Sequence, residues 1–212
     1  MRDFLQSPNN YFAVIEEAAE DLCENAGITF KGSSDEKAAM ENPLANIANH
    51  ISNTIGLRVL VLPVKVMQNQ LRRYDQHRGE NLLSEALHRP QRQFHLLVQY
   101  ASLSQQKILD EICATLGSED QQTLSLLKVT LAAYVAGTVM MQCDAFIKSA
   151  KNLRSDLDLL ARRFNTSPEQ VCHRLTTLNA THMRGNPSFL CVYIMLAIFQ
   201  NGWPRLVCNC HA

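Results

Sequence analysis

The sequence predicts an α+β fold, predominantly helical, in which a small sheet near the start is followed by many helices. Three observations predict it. The run "LRVLVLPV" is short, rich in β-branched residues and ended by Pro63, so it reads as a strand. In "LRRYDQHRGENLLSEAL" two short segments flank the turn-like "HRGE", which is the pattern of a β-hairpin. From Pro90 onward the apolar spacing becomes helical. The order of helix, a few strands, then helices is that of an α+β domain.

Each element follows from local pattern. "NYFAVIEEAAEDLCENAGI" puts Phe12, Ile15, Ala18, Ala19 and Leu22 on one face, with Glu16, Glu17, Glu20 and Asp21 largely off it, and predicts an amphipathic helix. "FKGSSDEKAAMENP" has the content of a linker, so a structural unit is expected to begin near Asn42. "LANIANHISNTIG" predicts a helix stopped by Gly56. After Pro90, "RQFHLLVQYASLSQQKILDEICATL" runs to Gly117, "EDQQTLSLLKVTLAAYVAGTVMM" follows with only Gly137 interrupting it, and "CDAFIKSAKNL" continues the helical half.

With 212 residues the chain fits one domain of ordinary size or two small ones, and is long enough to bury a core without a staple. A hydrophobic fraction of 46% against 19% charged residues is that of a globular protein. No membrane span of about 18 apolar residues is expected. The polar "RDFLQSPNN" after Met1 does not resemble a secretory signal, so a cytoplasmic location is expected. Seven cysteines, at 23, 113, 143, 172, 191, 208 and 210, lack paired spacing until the last few, which argues for reduced thiols. The formal net charge of zero argues against a general nucleic-acid coat. The charge is uneven: residues 1–42 hold nine acids and three bases, residues 58–92 seven bases and three acids. An anion-binding surface is therefore expected in the second block.

Residues 157–178, "LDLLARRFNTSPEQVCHRLTTL", have the parts of a helix-turn-helix. Leu159, Leu160, Ala161 and Phe164 make one apolar stripe, "NTS" turns, Ser167 can cap a helix begun by Pro168, and Val171, Leu175 and Leu178 make the second stripe. A DNA reader would offer Pro168, Glu169, Gln170 and Arg174 to base edges. Glutamine suits adenine, whereas Glu169 would repel phosphate. The alternative, two helices packed into a helical domain, is favoured because one small motif in a neutral chain is weak ground for DNA binding.

The same stretch carries a family resemblance. "FNTSPEQVCHRLTTLN" followed by "RGNPSF", with "NNYFAVIEEAAEDL", "LRRYDQHR", "LLSEAL" and "AAYVAGTVMM" upstream in order, resembles the bacterial short-chain fatty acyl transcriptional regulators over about residues 3–189. The resemblance implies a regulator built from an N-terminal Cro-type helix-turn-helix, a middle domain of the ImmA/IrrE zincin-like fold and a cysteine-containing C-terminal domain associated with acyl-coenzyme A. It divides this chain into an N-terminal helix and linker (1–41), a degenerate zincin-like domain (42–153), a helix-turn-helix-like extension (154–189) and an aberrant tail (190–212). The expected partners are a short-chain acyl-coenzyme A and, through the family's N-terminal domain, DNA. A homo-oligomer stays open.

In zincin-like relatives the helix after the hairpin carries H-E-x-x-H, two imidazoles one turn apart that bind zinc and a glutamate that serves as general base. The resemblance sets Val98 and Ser102 at the histidine positions and Gln99 at the glutamate. Valine has no lone pair for a metal, a serine hydroxyl is a poor zinc ligand and a glutamine amide is no base near neutral pH. His95 stands alone nearby. No catalytic residue, metal or cofactor is therefore expected, against the alternative of an ImmA/IrrE-type metallopeptidase. A cleft freed from hydrolysis can hold a small molecule. Coenzyme A carries several phosphates, which calls for arginine forks near an apolar slot. Arg72, Arg73, His77 and Arg78 on the basic hairpin are the candidate contacts, and Tyr74 could stack on the adenine.

After "RGNPSFL" the family pattern stops. The end, "CVYIMLAIFQNGWPRLVCNCHA", holds a crowded C-x-C-H that makes no complete tetrahedral site. Codons permitted for Leu190 to Asn209 can spell a family-like continuation in a shifted frame, so a frameshifted end is expected. Codons incompatible with that shifted peptide would remove the idea.

Overall fold

The structure, a computed structural model, describes residues 12–27, 43–115 and 120–178. Helices α1 (Ala13–Ala26) and α2 (Pro43–Ile55) precede strand β1 (Arg58–Leu62), the single turn α3 (Val64–Met67), and strands β2 (Arg72–Asp75) and β3 (Glu80–Ser84). Then follow α4 (Arg89–Ser104), α5 (Gln106–Ala114), α6 (Gln121–Met140), α7 (Cys143–Asn152), α8 (Leu157–Phe164) and α9 (Pro168–Leu178). The α+β class, the hairpin and the two stop signals stand as expected: Gly56 leaves α2 at φ +68°, and Pro63 follows β1. The tail at 190–212 lies outside the described residues.

Strand order in the sheet is β1-β3-β2. β3 takes the centre because "ENLLS" is buried along its whole length, whereas β1 and β2 are largely exposed. β2 pairs antiparallel with it through the hairpin, whose turn is shaped by Gly79 at φ +60° and by the Asp75 carboxylate accepting the Arg78 N–H at 3.1 Å. β1 pairs parallel, with Arg58 opposite Glu80 and ion-paired to it. Alternation then separates two faces. Val59 and Leu83 join the main core, while Leu82 and Met67 are buried outside it on the side where α3 packs against β3.

α6 is the axis of the helical half and packs most extensively on α4 and α1. Its apolar residues run all round, with Leu127, Leu131, Ala132, Val135 and Val139 fully buried. It is long and apolar enough to cross a membrane by length and composition, a stretch the sequence expectation overlooked. Here half of it is buried inside the fold, which is the position of a core helix.

Three expectations are corrected by packing. Glu16, placed off the buried face of its helix, is 5% exposed, because a cation from the far end of the chain meets it. Leu159, assigned to the apolar stripe of α8, is exposed, and Leu160, Ala161 and Phe164 alone turn inward. The segment from Arg89 onward is two helices rather than one. Ser102 and Ser104 donate to the Val98 and Tyr100 carbonyls at 2.8 and 2.9 Å, and the backbone breaks at Gln105, φ −105° and ψ 21°.

The described cysteines, Cys23, Cys113, Cys143 and Cys172, are free and buried. Burial pushes the Cys143 thiol up to about 11, less a contribution from Arg174, and burial with Glu169 does the same for Cys172. Only the thiolate is a good nucleophile, so about one thiol in a thousand is reactive at pH 8. Mapping of alkylated cysteines by mass spectrometry should find Cys143 and Cys172 unlabelled in the native protein and labelled promptly once it is unfolded.

Candidate functional site

α4 is the helix to which the family resemblance assigns the metal positions. Its start is fixed by a capping box, in which the His88 side chain accepts the Gln91 backbone N–H and Gln91 Oε1 accepts the His88 N–H at 3.0 Å, with Pro90 in the first turn. Val98 and Ser102 lie one turn apart on one face. Val98 is buried and apolar; Ser102 is half-buried and spends its proton on the Val98 carbonyl. Gln99 beside them is half-buried. This donor set does not fit zinc: it offers no imidazole, thiolate or carboxylate. His95, one turn earlier, is half-buried. Burial and then the Arg72 charge hold its imidazole below the ordinary range, so it is neutral near pH 7.

The hairpin candidates are divided by strand alternation. Arg72 lies opposite Leu83 and Tyr74 opposite Asn81, so both point to the helix side of the sheet. Arg73, opposite Leu82, points away. His77 and Arg78 sit exposed in the turn. Arg72 and Tyr74 therefore share the face of the sheet that carries Leu83, both exposed, and the other three do not lie on it.

A separate open cavity of about 400 Å³ lies where α1, α2, α4 and α5 meet. It is lined by Asp21 and Leu22, by His50 and Thr54, and by Tyr100 and Ile108 among others, and by none of the hairpin or α4 positions named above. Inside it His50 Nε2 stands 3.3 Å from the Tyr100 hydroxyl and 3.4 Å from that of Thr54, whose proton goes to the His50 carbonyl at 2.8 Å. Sequence reading missed this cavity, since its lining comes from four helices.

The other site that spacing could not show is fully internal. Arg174 grips Glu16 bidentately, Nη1 to Oε1 at 2.6 Å and Nη2 to Oε2 at 2.8 Å, and its Nε donates to the Met141 carbonyl at 2.9 Å. The Tyr134 hydroxyl donates to Glu16 Oε1 at 2.9 Å, and Thr138 Oγ1 accepts from Arg174 at 3.2 Å. Burial opposes the Arg174 charge, and Glu16 more than offsets it. Arg174 at 2% exposure cannot present itself to a base edge, which corrects its assignment as a DNA contact. Gln170 is also engaged, accepting the Ser167 N–H at 2.9 Å while Ser167 caps α9.

A small sheet flanked by α4, all within a helical bundle, defines the scaffold, and among the described residues no group of three or more His, Cys, Asp or Glu stands together to hold a metal. Comparison gives the lineage. The chain belongs to the IrrE N-terminal-like domain family of peptidase designation M78, whose profile matches residues 53–176. It is 29% identical over 187 residues to the HTH-type transcriptional regulator PrpR of Mycobacterium tuberculosis, covering 88% of this chain and 36% of that protein. It is 30% identical over 190 residues to the propionyl-CoA carboxylase regulator of Cereibacter sphaeroides, covering 89% and 37%. A solved Mycobacterium tuberculosis transcriptional regulator superposes with a TM-score of 0.76 at 29% identity, covering 87% of this chain and 52% of that one. The relatives are transcriptional regulators, in agreement with the resemblance carried by the landmark residues. The chain spans little more than a third of the length of these curated relatives.

Proposed function

We propose that this chain is the sensory body of a transcriptional regulator, working in the cytoplasm, that binds a short-chain acyl-coenzyme A and cleaves no peptide. The observation that carries the reading is the chemistry of α4: Val98, Gln99 and Ser102 provide neither a metal ligand nor a base, while Arg72 and Tyr74 of the basic hairpin face the same helix. Arginine forks suit the phosphates of coenzyme A, and the tyrosine ring suits its adenine. The names of the relatives, one of them a propionyl-CoA carboxylase regulator, agree with the ligand class. DNA contact then belongs to a separate domain such as the relatives' helix-turn-helix, and the burial of Arg174 removes one of the internal motif's candidates for a base contact.

Calorimetric titration tests this. Coenzyme A and propionyl-coenzyme A should each bind saturably at one site, the acyl form more tightly. Replacing Arg72 by glutamine should weaken both by about tenfold or more, the scale of losing charge-assisted hydrogen bonds. Stoichiometric zinc in the purified protein with chelator-sensitive peptide cleavage would overturn the reading in favour of a metallopeptidase.

A further inference from the structure

The cavity between α1, α2, α4 and α5 plays no part in the acyl-coenzyme A reading. Its volume of about 400 Å³ lies within the range of about 300–1,000 Å³ that small-molecule sites occupy. Three of its four helices meet it toward their C-terminal ends. α1 contributes a face that runs to Asn25 in its final turn, α2 contributes His50 and Thr54 from its last two turns, and α4 contributes Tyr100 and the Gln105 that follows it. A helix C-terminus carries about half an elementary negative charge and favours a cation beside it. The last turns of α1, α2 and α4 hold no basic residue. α5 begins where α4 stops, so its positive end answers that of α4, and the ends of α1 and α2 are left unmatched. The side chains add the same sign: Asp21 brings a carboxylate to the wall, and among the described residues no lysine or arginine lines it.

The hydroxyls agree with the field. Thr54 spends its proton on the His50 carbonyl at 2.8 Å. With the imidazole proton on Nδ1, His50 Nε2 accepts that of Tyr100 at 3.3 Å. Both oxygens then face the cavity with lone pairs and no proton to give. They also converge, since each lies within 3.4 Å of the same ring nitrogen. The amides of Asn25 and Gln105 can serve a donor or an acceptor, and Leu22 and Ile108 supply apolar wall. Phosphates would meet a carboxylate and two helix ends of their own sign here, whereas an ammonium group would meet acceptors.

We propose that this cavity binds a small organic cation, a primary ammonium group on a short apolar chain. The ammonium donates to the hydroxyl oxygens of Tyr100 and Thr54, Asp21 balances its charge, and the chain lies on Leu22 and Ile108. The site is separate from the hairpin and does not depend on the acyl-coenzyme A reading.

Calorimetric titration of the full chain with hexylammonium chloride, 1-hexanol and sodium hexanoate tests this by holding the chain constant and changing the head group. At about pH 8 the amine is charged, as a lysine side chain is. Hexylammonium should bind saturably at one site and raise the melting temperature. Hexanol should bind more weakly by about tenfold or more, the scale of losing charge-assisted hydrogen bonds, and hexanoate should not bind. Asp21→Asn, at an exposed position, should weaken the amine by a similar factor. Glu20→Gln, on the same helix but beside Asp144, should leave it unchanged, which separates a built site from general acidity. The ring-nitrogen shifts of His50 should report Nε2 without a proton and should move when the amine is added. No saturable binding of hexylammonium, hexanol or hexanoate bound as tightly as the amine, a protonated Nε2, an unmoved His50, or Asp21→Asn as tight as the parent would each overturn the site. Glu20→Gln as weak as Asp21→Asn, or displacement of the amine by coenzyme A, would do so too.

Discussion

Arg174→Met is expected to destabilise the protein by about 3–5 kcal/mol, the scale of stranding a buried charge. The variant leaves the Glu16 carboxylate at 5% exposure with only the Tyr134 and Thr138 hydroxyls around it. Glu16→Leu alone should cost a similar amount, because the guanidinium is then confined without a counter-charge. The double variant should recover most of the loss, since a buried ion pair and a well-packed apolar pair of similar volume differ little in net stability. Urea unfolding of the four proteins measures the cycle. Equal and additive losses would mean that the two side chains do not act as a pair. The same experiment separates two roles for Arg174. A DNA contact would lower affinity and leave stability alone, whereas the geometry assigns Arg174 the opposite behaviour.

That ion pair marks the limit of what could be read from the chain. The periodicity of α1 was legible because Ile15, Ala19 and Leu22 repeat at helical spacing, yet Glu16 looked like a solvent residue because its partner lies 158 positions away. Nothing local distinguishes an acid bound for water from one bound for a distant arginine. The hairpin was legible from "HRGE", and its two-residue alternation already implied that Arg72 and Tyr74 share a face. Which face looks at α4 depended on β1 joining β3 in parallel, a pairing that turn signals do not report. The positions the resemblance assigns to a metal site, Val98, Gln99 and Ser102, could be singled out only through that resemblance, because in isolation "LLVQYASLS" is an ordinary helix. The cavity around His50 and Tyr100 was equally hidden, being made by four helices from separate parts of the chain.

The second large effect concerns whether the helix-turn-helix-like pair α8–α9 is an appendage or part of the core. Phe146 on α7 is completely buried, and its ring lies 5.3 Å from that of Phe164 at the end of α8. Asn165, in the left-handed conformation that ends α8, donates from its amide to Gln93 Oε1 on α4 at 3.1 Å, while Val171, Leu175 and Leu178 join the same core. Phe146→Ala and Phe164→Ala should therefore each cost about 3–5 kcal/mol. The pair should show a coupling of about 0.5–1.5 kcal/mol in the double variant, the usual range for two packed rings. Chemical denaturation followed by circular dichroism and by tyrosine fluorescence should give coincident single transitions in the parent. A separate early transition that Phe164→Ala shifts and Phe146→Ala does not would instead make α8–α9 an independent module. Phe164 and Arg174 are both anchored inward, so the pair's inward-facing side chains are committed to the core, and a variant that loosens them should cost stability before it could touch any partner.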